Sequence, residues 1–64
     1  MSLDPLKKTE FVEKGGVVLG AIIYALRAGH GPVLPPENAI ELGRKFAHKV
    51  AEDYPDVVSD LLNT

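Results

Sequence analysis

The run from Gly15 to Leu26, GGVVLGAIIYAL, is twelve residues without a charge in a chain of 64, and five of its positions are glycine or alanine. A segment this apolar must be shielded from water, so its length and periodicity limit what the rest of the chain can do. At 1.5 Å rise per residue, twelve helical residues extend about 18 Å, against about 30 Å of hydrocarbon in a bilayer. Lys14 and Arg27 bracket the run, with Glu10 and Glu13 before it and the break Gly29-His30-Gly31-Pro32 after it. Lysine and arginine can snorkel to headgroups, but two glutamates beside the run make a span costly. A buried or interface helix is expected, not a membrane span.

Local signals give that helix its ends. Asp4 suits the N-cap with Pro5 at the first helical position, Thr9 being the alternative cap, and Gly29 suits a left-handed closure. The first helix is therefore expected over about 5–28. Each glycine of Gly15-Gly16 costs about 1 kcal/mol relative to alanine in a helix interior, so a kink or a late start at that pair is the local alternative. A buried strand through Val17, Val18, Ile22 and Ile23 is the other, disfavoured by the length of the run and the lack of a second strand. Residues 29–36, GHGPVLPP, form a loop whose Val33 and Leu34 are expected to plug the end of the core. A second helix is expected over about 36–53. Its wheel places Ala39, Ile40, Leu42, Gly43, Phe46, Ala47, Val50, Ala51 and Tyr54 on one half, opposite Glu41, Arg44, Lys45, His48, Lys49 and Glu52. Pro55 opens a short third helix, about 55–62, carrying Val57, Val58, Leu61 and Leu62. Tyr54 is expected to close the core where Pro55 turns the chain.

The first helix has two apolar sides. Phe11, Val12, Val18, Leu19, Ile22, Ile23 and Leu26 form a bulky stripe expected to meet the other two helices. The opposite side holds Val17, Gly20, Ala21, Tyr24 and Ala28, where a monomer would present charge. Gly16-x-x-x-Gly20 and Ala21-x-x-x-Ala25 have the spacing that lets helix backbones approach closely. Sixty-four residues lie near the lower limit for a self-sufficient domain, and the absence of cysteine removes disulfide and zinc-thiolate support. A symmetric homodimer, or a higher oligomer, using Val17, Gly20, Ala21, Tyr24 and Ala28 as its isologous contact answers both problems.

The charges disfavour several functional classes. Nine acids exceed seven bases, and Glu52, Asp53, Asp56 and Asp60 follow the last base, Lys49. Such an end repels phosphate backbones. Arg44, Lys45, His48 and Lys49 form a basic stripe, the best candidate for an anion or partner contact, but Glu41 is spaced to pair with Lys45 and Asp53 with Lys49. Glu37 and Glu41 stand where a reading helix would approach bases, so nucleic acid is disfavoured as a partner. His48 and Glu52 supply two metal ligands at most, with His30 the only other histidine, and no metal site is expected. No nucleophile stands near a base, no acid pair lies on an apolar face, and no phosphate-cradling glycine loop is present, so neither catalytic residues nor a cofactor are assigned.

No signal peptide is recognisable, and Met1, Ser2 and Leu3 are given no role, short N-terminal segments of this kind being a common remnant of expression. The expectation is a single all-α domain over residues 1–64: three helices per chain in a homodimeric helical bundle. Its role is that of a non-catalytic, cytoplasmic interaction, adaptor or regulatory module whose partners are itself and another protein. The alternatives are a nucleic-acid-associated regulator using the basic stripe and a membrane-associated peptide using the apolar run.

Overall fold

A computed structural model describes residues 3–29 and 34–64 and contains α1 (Pro5–Ala28), α2 (Glu37–Asp53) and α3 (Pro55–Leu62). All regular structure among the described residues is helical, as the periodicity predicts. Asp4 caps α1: its Oδ1 accepts from the Leu6 amide at 2.9 Å, and Pro5 occupies the first turn, where its missing N–H leaves no bond unmade. Gly29 closes the helix at φ 70°, donating its amide to the Ala25 carbonyl at 2.8 Å. The helix runs through Gly15-Gly16 without interruption, so neither the late start nor the strand is adopted. Thr9 lies inside α1, its hydroxyl donating to the Pro5 carbonyl at 3.0 Å.

α1 and α2 pack as an antiparallel hairpin, and small residues make its seam. In α2, Ala39, Gly43, Ala47 and Ala51 are buried at intervals of four; in α1, Gly16 and Gly20 are buried at the same interval. Two ridges of i±4 spacing interdigitate, the commonest way for globular helices to cross. The approach is close enough to exclude side chains. A Cβ built on Gly43 meets the Gly16 carbonyl oxygen and lies 2.7 Å from the Gly20 nitrogen, and one on Gly20 lies 2.8 Å from the Ala39 carbonyl oxygen. The Gly43 hydrogen that takes the place of a Cβ therefore points at the Gly16 carbonyl. That is the geometry of a weak Cα–H···O contact, about 0.5–1 kcal/mol.

This seam reverses the faces expected for α1. The small residues Gly16 and Gly20 face the chain's own α2, while Val18, Ile22 and Leu26 of the bulky stripe are exposed; Phe11, Val12, Leu19 and Ile23 are half-buried. With backbones this close, a bulky side chain has no room between the helices and must turn to the flank. α2 shows the same sorting: its four small residues are inside, and Phe46 and Val50 are exposed. Tyr54 sits at the α2–α3 junction 60% exposed and does not close the core, and Leu34 is 85% exposed and plugs nothing. Val33 lies outside the described residues. In α3, Val58 is fully buried, a contribution of about 1.5–3 kcal/mol, whereas Val57, Leu61 and Leu62 are exposed. A hydrogen bond of 2.8 Å from Lys7 Nζ to Asn63 Oδ1 ties α3 to the start of α1.

The seam makes two neighbouring glycine substitutions differ in sign. Gly43→Ala forces backbones apart and is expected to destabilise by about 1–3 kcal/mol or more. Gly15→Ala places its Cβ at an ordinary 3.4 Å from that of Ala47 and is expected to stabilise by up to about 1 kcal/mol through helix propensity. Urea denaturation at one fixed chain concentration measures both; equal effects of the two changes contradict the seam.

Candidate functional site

Three surfaces carry residues from which a binding role can be built. On α1, Val18, Ile22 and Leu26 recur every four residues and so share one side of the helix, exposed to 59%, 50% and 81%. The five residues expected to form the self-contact are divided by the fold. Gly20 is covered by Ala39 and Ile40 of the same chain, Ala21 and Tyr24 are half-buried, Val17 is 39% exposed, and Ala28 is exposed. They do not make one free patch, and Gly20 has no surface left for a second copy.

At the end of the hairpin where α1 finishes and α2 begins, a groove of about 270 Å³ lies between the two helices, lined by Ile23, Tyr24, Arg27, Ala28, Pro36, Asn38, Ala39 and Leu42. Tyr24 and Ala28 thus belong to this groove. Its volume falls at the lower edge of the range for small-molecule sites, about 300–1,000 Å³.

The basic stripe of α2 is largely engaged by acids. Arg44 is half-buried between the helices: its Nε and Nη2 each lie 3.1 Å from Glu13 Oε2, and its Nη1 lies 3.4 Å from Glu37 Oε1. The methylene stem of Arg44 covers Gly16, where a Cβ would lie 2.5 Å from Arg44 Cγ. Lys49 pairs with Asp53 at 3.5 Å, as the spacing predicts, and His48 Nε2 lies 3.5 Å from Glu52 Oε1. The pair expected between Glu41 and Lys45 is not formed; among the described residues Lys45 alone of the four has no ion pair. Each exposed pair contributes about 0–1 kcal/mol, but together they neutralise most of the stripe.

Glu52 also receives Lys8 of α1, which joins the first turns of one helix to the last turn of the other. The Lys8 hydrogen bond, then the Lys8 charge, hold the Glu52 carboxyl below the ordinary glutamate range; desolvation opposes them, and the His48 and Lys49 charges add weaker lowering effects. Among the described residues no three histidine, aspartate or glutamate side chains converge where a metal ion would sit, and no helix is long and apolar enough to cross a membrane. His30 lies outside the described residues. Compared with protein-family models, curated proteins and solved structures, the chain matches none of them.

Sequence reasoning missed Val18, Ile22 and Leu26 as a free surface. The signal was the four-residue recurrence of Ala39, Gly43, Ala47 and Ala51, a small-residue ridge complementary to Gly16 and Gly20 within the same chain.

The Glu52 contact has a titration signature. Because the folded-state pKa lies below the unfolded one, its contribution to stability is complete above the unfolded value and is lost as pH falls through the folded one. Lys8→Met is expected to return the Glu52 carboxyl to the ordinary range, read by carboxyl chemical shifts against pH. An unchanged midpoint counts against the Lys8 contact.

Proposed function

We propose that this chain is a non-catalytic, cytoplasmic interaction module that works as a homo-oligomer, a dimer in its simplest form, completing a helical bundle from three helices per copy and presenting its remaining surface to another protein. The observation that carries this reading is the exposure of Val18, Ile22 and Leu26 on one side of α1. Fully burying such side chains is worth about 1.5–3 kcal/mol each, a gain of which the isolated hairpin leaves roughly half or more unrealised. Clusters of exposed apolar residues of this kind mark interaction sites more often than accidents of packing. The small core points the same way. Among the described residues Ala39, Ala47, Ala51 and Val58 are the buried hydrophobic ones, and a core of such volume rarely stabilises a chain of this size alone.

The basic stripe supports a nucleic-acid reading less well, because three of its four members already face acids. A polyanion would have to displace Glu13, Glu37, Glu52 and Asp53 before counterion release could favour it.

Light scattering coupled to gel filtration tests the reading. A mass of twice the 6.9 kDa chain, or a larger multiple, is expected at micromolar concentration. Ile22→Glu replaces a side chain that the proposed association buries and is expected to weaken association about 10- to 100-fold or more, whereas Lys45→Glu leaves the mass unchanged. A monomer mass for the unaltered chain at every accessible concentration overturns the proposal.

A further inference from the structure

We propose that the groove between the end of α1 and the start of α2 binds a small monocarboxylate with an apolar tail, its carboxylate held by Arg27 and its tail, branched aliphatic or aromatic, lying against Ile23, Tyr24 and Leu42. This ligand site goes beyond the interaction role proposed above and uses none of Val18, Ile22 and Leu26.

The walls select the tail. Ile23, Tyr24 and Leu42 line the groove half-buried, so each keeps apolar surface in water that a ligand would cover. A concave, mainly apolar lining with a few polar groups is the composition of a small-molecule site. The volume, about 270 Å³, holds the occupant to a single ring or a single branched chain.

Charge selects the head group. No aspartate or glutamate lines the groove: Glu37 is turned to Arg44 at 3.4 Å, and Glu41 lies outside the lining. Arg27 is the charged residue of the lining, and among the described residues it has no acid partner. The carbonyl end of α1 and the amide end of α2 both adjoin the groove, so their partial charges oppose each other. Arg27 therefore sets the sign of the field. A guanidinium meets a carboxylate through two parallel N–H donors, and Asn38, also in the lining, adds amide donors. An ammonium head group is repelled here. A phosphomonoester brings about two charges, one more than Arg27 matches.

Nuclear magnetic resonance titration of the full chain with phenylacetate and, separately, isovalerate tests the site and tells an aromatic tail from an aliphatic one. The chain has two tyrosines; Tyr24 reports on the groove, and Tyr54, outside its lining, serves as the control. Saturable shifts centred on Ile23, Tyr24, Asn38 and Leu42 are expected with at least one of the two acids, at a dissociation constant of about 1 mM or tighter. Acetate, which lacks the tail, and phenylacetamide, which lacks the charge, are expected to bind about tenfold more weakly or worse. Arg27→Gln is expected to weaken the acids about tenfold and leave phenylacetamide unchanged, with Arg27→Lys recovering part of the loss. The ligand series on the unaltered chain decides the matter alone should a variant fail to fold. Equal binding of phenylacetate and phenylacetamide overturns the carboxylate, and equal binding of acetate overturns the tail. Absence of a saturable shift with either acid overturns the site. Shifts of the same resonances on dilution of the chain alone, with none on adding acid, mean that a second copy fills the groove and also overturn it.

Discussion

The backbone contact at Gly43 governs the rest of the structure. Its Cα hydrogen lies against the Gly16 carbonyl and beside the Gly20 amide, in the one place where α1 and α2 come closest. At that separation the seam holds hydrogens and methyl groups only, which is why Ala39, Ala47 and Ala51 flank it. Dispersion and weak Cα–H···O contacts along two smooth ridges replace the interdigitated large side chains of an ordinary hairpin. The larger side chains have only the flanks and the outer faces left to them. Exposure of Val18, Ile22, Leu26 and Phe46 therefore follows from the crossing itself.

Which parts of this were legible in the sequence depends on how local their causes are. Asp4-Pro5, Gly29 and Pro55 act on neighbouring backbone, and the helix ends they imply match those found. The double glycine did not break α1, because the close approach of Ala47 and Arg44 compensates the propensity lost at Gly15 and Gly16. The assignment of faces failed for a reason that hydrophobicity cannot register. A wheel ranks valine, isoleucine and leucine above glycine as core residues, although here small volume, not apolar character, decides what enters the seam. A Gly-x-x-x-Gly pair says that some backbone comes close, and leaves open whether it belongs to the same chain or to another. Only the matching ridge in α2 resolves that choice.

Ion pairs reinforce the register that the glycine seam sets. Glu13 meets Arg44, and Lys8 meets Glu52, so successive contacts run up one helix and down the other. A slip of one turn brings the Cβ of Ala39 or Ala47 to the place of Gly43 against the α1 backbone, so the seam itself opposes other registers. Exposed pairs, individually weak, add to that selection. Arg44 contributes twice, its guanidinium bridging Glu13 and Glu37 and its stem lying over Gly16. The side of α2 that looks like an anion-binding stripe in the sequence is thereby largely occupied in holding α1.

These two levels of structure are thermodynamically linked in the proposed assembly. A second copy binding the outer face of α1 binds the folded hairpin and not the unfolded chain, so stability must rise with chain concentration. The dependence also runs the other way. The outer stripe exists as a continuous surface only while α1 stays helical from Val18 to Leu26, and within that span Gly20, a weak helix former, lies against Ala39 and Ile40 of α2. Loosening the seam at Gly43 must then weaken association without altering any residue at the interface, and closing the interface must tighten the seam. One helix with a small-residue side and a bulky side thus couples the fold of each copy to the presence of the other.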